Sequence, residues 1–407
     1  MVNQEYMTKE NHKSNFRLFV LFPIFAALYE TSAYLSNDMY LPALPEIRNF
    51  LDISIEQAQN TITVWFLGNC LFQLLIGPLS DKYGRRPIMF AGAAIFVVGC
   101  LICAKATNIK EFYFGRFLQG LMVPTCLITA YSILHEYFST QKAIQVLAWM
   151  GSIVIIGPAI GPLIGSFVLL KYEWQMIFYI LIICALIPVV VLYFVMPESK
   201  ELRIGDKISL MEIFQNYKKA ILNKRFLSYS LIFSFNIFAP ISWIVAGPFL
   251  AIEKFKISTT DFGLIQLEIF GAYAFACILV NKISTRFNPF GLLKFGQKIC
   301  VLSSIVSVIL SNIFIDNINV VVASLVINSI GNAFVLATSN RLAIESSIIS
   351  KSYSVAMFFM IINVSITFVS KFVTEVFDFH VQEFCYLMLG AAICSQILIA
   401  LLSFSKK

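Results

Sequence analysis

Twelve times along this 407-residue chain a long run passes with few or no charges. Each run is about 18 to 30 residues, enough to cross a hydrocarbon core of about 30 Å as helix. The runs fall near 18–46, 56–80, 86–104, 111–135, 143–170 and 174–196, then near 226–251, 261–281, 290–314, 318–340, 352–374 and 383–404. Two groups of six predict an all-α membrane protein with an N-terminal six-helix bundle (1–197) and a C-terminal one (226–407). Between them lies a charged linker, 198–225, with an amphipathic surface helix expected around 209–222. Composition agrees: 58% of residues are hydrophobic and 13% charged, where a soluble protein carries about 25% charged. One soluble core cannot absorb that much apolar surface, so lipid must be the solvent for much of it.

The basic residues lie between the apolar runs and form no single patch, so the net charge of +7 does not suggest nucleic acid. They act as topology signals instead. Of the 30 Lys and Arg, 22 fall in segments that are cytoplasmic if the N-terminus is, and 7 in outer loops; the remaining one, Arg116, lies inside a run. That bias predicts cytoplasmic termini and a cytoplasmic linker. No GxxxxGK[ST] is present, which excludes ATP binding through a P-loop. The nine cysteines show no paired framework and the three histidines lie far apart, so neither a metal nor a cofactor is expected.

Two acids interrupt the first run, "ALYETSAYLSNDMYLPALP". Asp38 lies eight residues, ~12 Å, from the outer surface at Glu46. Arg116 in the fourth run, "EFYFGRFLQG", lies about six residues, ~9 Å, from Lys110 at the same surface. Opposite charges at similar depth can neutralise each other across helices 1 and 4, and snorkelling of Arg116 to the surface is the alternative. Glu30 is ~12 Å deeper and about 80° round the helix. No basic residue in runs 2, 3, 5 or 6 matches its depth, which leaves an ionised Glu30 without a partner. Glu268 is a third acid at membrane depth, and the sequence assigns it no role.

The loop "GPLSDKYGRRP" (77–87) follows the second run. Gly77 is expected to allow close helix packing and Gly84 a tight turn, while Asp81, Arg85 and Arg86 place charge at the cytoplasmic face. The fifth run, "GSIVIIGPAIGPLIG" (151–165), has Gly151, Gly157, Gly161 and Gly165 mostly at four-residue spacing, a smooth face for close helix approach. Pro158 and Pro162 are expected to bend that helix, each freeing a carbonyl.

The 77–87 loop resembles the signature loop of the major facilitator superfamily, G-x-x-x-D-x-x-G-R-R, nearly residue for residue. The corresponding loop of the second half, "NKISTRFN", keeps basic character without the glycine. Gly157, Pro158, Gly161 and Pro162 resemble the antiporter motif of the family's drug/proton exchangers, and "RFLQG" its fourth-span motif. Glu30, Tyr34, Asn37 and Asp38 stand in an E-x-x-x-Y-x-x-N-D frame similar to the first span of bacterial multidrug antiporters. The resemblance is clear over about 18–200 and implies several things. The fold would be two six-helix bundles around a central cavity, with Gly77, Asp81, Gly84, Arg85 and Arg86 forming a cytoplasmic gate in which Asp81 contacts the other half. Glu30, Asp38 and Arg116 would couple protons, and Tyr34, Asn37 and Tyr131 would line the cavity. The chain would be a monomeric, multi-pass protein of the bacterial inner membrane, with a small-molecule substrate, protons and the bilayer as its partners. It would export lipophilic cationic or neutral compounds against protons and would not be an enzyme. A dedicated exporter of one metabolite such as a siderophore, and a non-transporting sensor, stay open on the sequence alone.

Overall fold

The computed structural model describes residues 20–138, 146, 150, 153–154, 156–198, 210–284, 286–349, 351–378 and 380–404, and among these it contains helices and no strands. In the first half the helices are α1 (Phe22–Asp38), α2 (Leu44–Leu51), α3 (Ile55–Tyr83), α4 (Arg85–Lys105), α5 (Ile109–Gly120), α6 (Met122–Tyr137), α7 (Ile156–Leu169) and α8 (Gln175–Val195). The linker contributes α9 (Leu210–Leu222). The second half holds α10 (Lys224–Asn236), α11 (Phe238–Pro248), α12 (Thr259–Ile283), α13 (Pro289–Ile313), α14 (Ile318–Ser346), α15 (Lys351–Val376) and α16 (Val381–Phe404).

Among the described residues, nine helical stretches are long and apolar enough to cross a membrane. Two of them are the joined pairs α5–α6 and α10–α11. A tenth is α3, whose two parts, Ile55–Gln73 and Leu75–Tyr83, meet at 53°. The bend sits four residues before Pro78, whose ring crowds the carbonyl of the preceding turn. The first and fifth expected runs appear as α1, 17 residues, and α7, 14 residues, each preceded by chain outside the described residues. The expected linker helix is α9, which lays Tyr217 edge-on against Tyr353 of α15 with ring centroids 5.6 Å apart.

The same packing device occurs once in each half. On α4 and α5, a Cβ on Gly115 would lie 2.8 Å from the Gly99 carbonyl and 2.6 Å from Cys103 Sγ. On α13 and α14, a Cβ on Gly331 would lie 2.8 Å from the Gly296 carbonyl and 2.6 Å from Cys300 Sγ. Only hydrogen fits at these crossings, so each helix pair locks at one point. The residue after the crossing is Arg116 in the first half and Asn332 in the second, and both are buried.

Among the described residues, several bonds join the halves toward the end of the bundle that carries Arg48. Arg48 Nη1 reaches both carboxylate oxygens of Glu253, at 3.0 and 2.9 Å, and Lys371 lies 3.5 Å from Glu56. Deeper along α3, Gln59 donates to the Val245 carbonyl (3.2 Å), Thr63 bonds Ser370 (2.6 Å) and Asn69 donates to Asn363 (3.3 Å). On the opposite side, Ser166 of α7 donates to the Thr259 carbonyl at the start of α12 (2.6 Å). At the same end Lys254 donates to Asp316 (2.8 Å), which holds that carboxyl below its usual range.

Candidate substrate and proton site

Helix α1 ends at Asp38, and Met39 N–H closes its last turn on the Leu35 carbonyl. The carbonyls beyond that point have no partner within the helix. Arg116 supplies one: its Nη1 donates to the Ser36 carbonyl at 2.7 Å. A cation at a helix C-terminus is also favoured by the aligned peptide dipoles. The guanidinium lies over the Tyr40 ring, its carbon 4.0 Å from the centroid, and Nη1 also donates to Gln119 Oε1. Gln119, one turn along α5 from Arg116, passes a bond on to Cys100 Sγ at 3.1 Å. Arg116 is 0% exposed, which rules out the snorkelled alternative.

The neutralising contact expected between Arg116 and Asp38 is made indirectly. Among the described residues no ion pair joins them. Asn37 stands between: its Oδ1 accepts from Arg116 Nη2 and its Nδ2 donates to Asp38 Oδ1, each at 3.3 Å. Asp38 is 3% exposed, so the amide takes the place of a direct partner at a buried carboxylate.

Glu30 lies two turns deeper on α1 and is 2% exposed. The Tyr131 side chain of α6 lies beside its carboxyl, and Tyr34 and Cys126 are close by. Glu30 Oε2 has no hydrogen-bond partner among the described residues. An ionised carboxylate left in that condition is costly, so the group must hold a proton or meet a cation. Tyr34 and Tyr131 are half-buried, and Tyr34 leans on Trp65 with ring centroids 6.5 Å apart. Trp65 Nε1 in turn donates to Ser36 Oγ (3.0 Å), which ties α3 to the acid-bearing helix.

The glycine face of α7 covers that helix. A Cβ on Gly157 would find Thr31 and Tyr34 at an ordinary 3.5 to 3.6 Å. On Gly161 it would lie 3.2 Å from Asp38 Cβ, and on Gly165 it would overlap the Met39 carbonyl. Pro158 stands in the first turn of α7 and Pro162 inside it, and the Pro162 carbonyl, 2.7 Å from Ser166 Oγ, is the alternative acceptor to Thr259 for that one hydroxyl proton. Gly151 lies outside the described residues.

The 77–87 loop is anchored within its own half. Gly84 has φ +100°, a conformation that favours glycine, and it joins α3 to α4 in a single residue. Gly77 departs from expectation, because a Cβ there would meet nothing within 4 Å among the described residues. Arg85 pairs with Asp81 (2.6 Å) and with Glu136 of α6 (3.0 Å). Glu198 Oε1 accepts the Arg85 backbone N–H at 2.9 Å, capping the N-terminus of α4. Arg86 donates to the Tyr193 carbonyl (2.7 Å) and stacks near Phe90 and Tyr193. Among the described residues Asp81 engages its own loop.

Sequence reasoning assigned no role to Ser36, Tyr40, Trp65 or Gln119. Gln119 carried a signal, since three residues place it on the face of Arg116. Glu268 is exposed on α12, apart from the cluster around Glu30 and Asp38.

The description "Major Facilitator Superfamily" fits residues 26–361 of this chain. The multidrug transporter MdfA of Yersinia pestis bv. Antiqua is 33% identical over 279 residues, 68% of each chain. MdfA of Escherichia coli O6:H1 is 35% identical over 269 residues, 66% of this chain and 65% of that one. Among solved structures, a D-xylose–proton symporter superposes with a TM-score of 0.73 at 15% identity, covering 94% of this chain and 97% of the other. A bacterial homologue of the human lysosomal transporter Spinster, inward-facing and occupied, gives 0.70 at 14% identity, covering 95% and 96%.

Proposed function

Since this chain belongs to the major facilitator superfamily, we propose that it exports lipophilic cationic or neutral compounds across the bacterial inner membrane in exchange for protons. It is a transporter and no bond is made or broken; a proton gradient drives the cycle. Relatives that are multidrug transporters do not favour a dedicated metabolite exporter or a silent sensor. We further assign it cytoplasmic termini, a monomeric state and the bilayer as its surroundings.

The observation that carries this reading is Glu30 Oε2, buried and without a hydrogen-bond partner among the described residues. With Glu30 and Asp38 protonated, the cavity holds no net negative charge and a cation binds poorly. With either ionised, a lipophilic cation is attracted and the buried charge gains a partner. Proton and cation compete for the same charge, which makes the exchange obligatory for cations. A neutral compound displaces the proton by changing the solvation of Glu30. The firm contacts between the halves at the Arg48 end support a state whose cavity opens toward the Arg85 end, on the cytoplasmic side in the proposed topology.

Adding saturating tetraphenylphosphonium to detergent-solubilised protein near neutral pH tests this. Protons should be released, less from Glu30→Gln or Asp38→Asn, and none from the double variant. Unchanged release from the double variant would move the coupling elsewhere, with Glu268 the next residue to replace. A resistance profile of cells overproducing the protein would then define the range of compounds.

A further inference from the structure

A groove of about 620 Å³ runs along the outer face of α4 and α5, away from the site just described. Val98, Leu101, Ile102 and Phe114 form its apolar walls. Phe114 is 57% exposed and Val98 48%, which on membrane-spanning helices means contact with lipid. Lys105, the last residue of α4, and Lys110, in the first turn of α5, border the groove at its upper end.

At this end of the bundle Lys171 and Lys256, like Lys105 and Lys110, make no ion pair among the described residues, but they do not border the groove. Arg48 is paired with Glu253, Lys254 with Asp316, and Lys371 with Glu56 and Glu375. Lys105 and Lys110 have no carboxylate within ion-pair distance among the described residues. Glu111 also borders the groove, but its carboxylate is engaged by the loop, where its Oε2 accepts from the Thr107 N–H (3.0 Å) and hydroxyl (3.3 Å). Two unpaired cations therefore stand at the rim of an apolar trough that descends ~10 Å from Lys105 to Val98.

We propose that this groove binds one anionic phospholipid of the outer leaflet, its phosphate between Lys105 and Lys110 and an acyl chain along Val98, Leu101 and Phe114. Basic pockets between spanning helices recognise anionic headgroups on the cytoplasmic side, and the same charge complementarity is invoked here at the opposite face. The proposal requires that α4 and α5 span a bilayer and does not depend on what is transported. It has a consequence for transport, because the two helices lock at Gly99 and Gly115 and the next residue is Arg116. A lipid bridging their outer ends would steady the crossing that positions the guanidinium.

The test uses the full chain in phosphatidylcholine vesicles doped with phosphatidylglycerol that carries a diazirine on its acyl chain. Illumination should label the 98–114 segment. In Lys105→Gln/Lys110→Gln the labelling should fall roughly tenfold or more. Lys105→Arg/Lys110→Arg should keep it, which separates lost charge from lost folding, and Lys171→Gln should leave it as it was. Equal labelling by a phosphatidylcholine probe of the same chains would overturn the proposal. So would full labelling of the Gln variant, or competition by inorganic phosphate, which would make the pair a free-anion site.

Discussion

Gly165 of α7 passes so close to Met39, which caps α1, that a methyl group on its α-carbon would overlap the Met39 carbonyl oxygen. The spacing opens along the same face, to 3.2 Å at Gly161 and 3.5 Å at Gly157. A graded response to alanine follows. Gly165→Ala should destabilise by about 1–3 kcal/mol, the usual cost of forced overpacking. Gly161→Ala should cost less, and Gly157→Ala should be near neutral. Melting curves in detergent read the series, and equal effects at all three sites would show that packing on α1 does not set the role of these glycines.

Asn37 links Arg116 to Asp38, so its removal should matter more than its size suggests. Asn37→Ala leaves a guanidinium donor and a carboxylate acceptor each one bond short, at about 1–3 kcal/mol for a buried unsatisfied group. Transport should fall in Asn37→Ala and in Arg116→Ala. Arg116→Lys should recover only part, because an ammonium lacks the fork that reaches the Ser36 carbonyl and Asn37 together. Full transport by Asn37→Ala in membrane vesicles would mean that Arg116 and Asp38 act independently.

Arg48 and Glu253 fasten the two halves, and their side chains are 32% and 24% exposed. A pair of that exposure contributes about 0.2–1 kcal/mol, enough to shift a balanced equilibrium up to about fivefold. Arg48→Glu should raise the population open at that end, read as distances between spin labels on the two halves. Arg48→Glu with Glu253→Arg should restore it. An unchanged distance distribution in the single variant would remove this pair from the gate.

Asp81 holds Arg85 within its own loop in the present state. If it engages the second half when the cytoplasmic side closes, Asp81→Asn should cut transport and leave substrate affinity near its original value. Transport at the original rate would reduce the loop to a topology signal.

The lengths of the apolar runs and the 77–87 loop made the helices and their order legible, and the depth count placed Arg116 at the level of Asp38. What it touches was not legible. Asn37 and Asp38 are neighbours in sequence, and adjacent helical residues point about 100° apart, so nothing suggested that one would bridge to the other. The free carbonyl of Ser36 belongs to a helix end, and the run of apolar residues continued past it. Glycines at four-residue spacing announced a smooth face on α7 without naming α1 as its partner. Gly77 was expected to allow close packing, yet among the described residues no neighbour approaches it.

The glycine crossing recurs in both halves, and buried Asn332 sits where the first half has buried Arg116. At that point the second half has an amide where its counterpart has a charge. Exchange of Arg116 strips the Ser36 carbonyl of its donor, whereas exchange of Asn332 leaves no buried charge to account for. Substitutions at the second crossing should therefore be tolerated more widely than at the first.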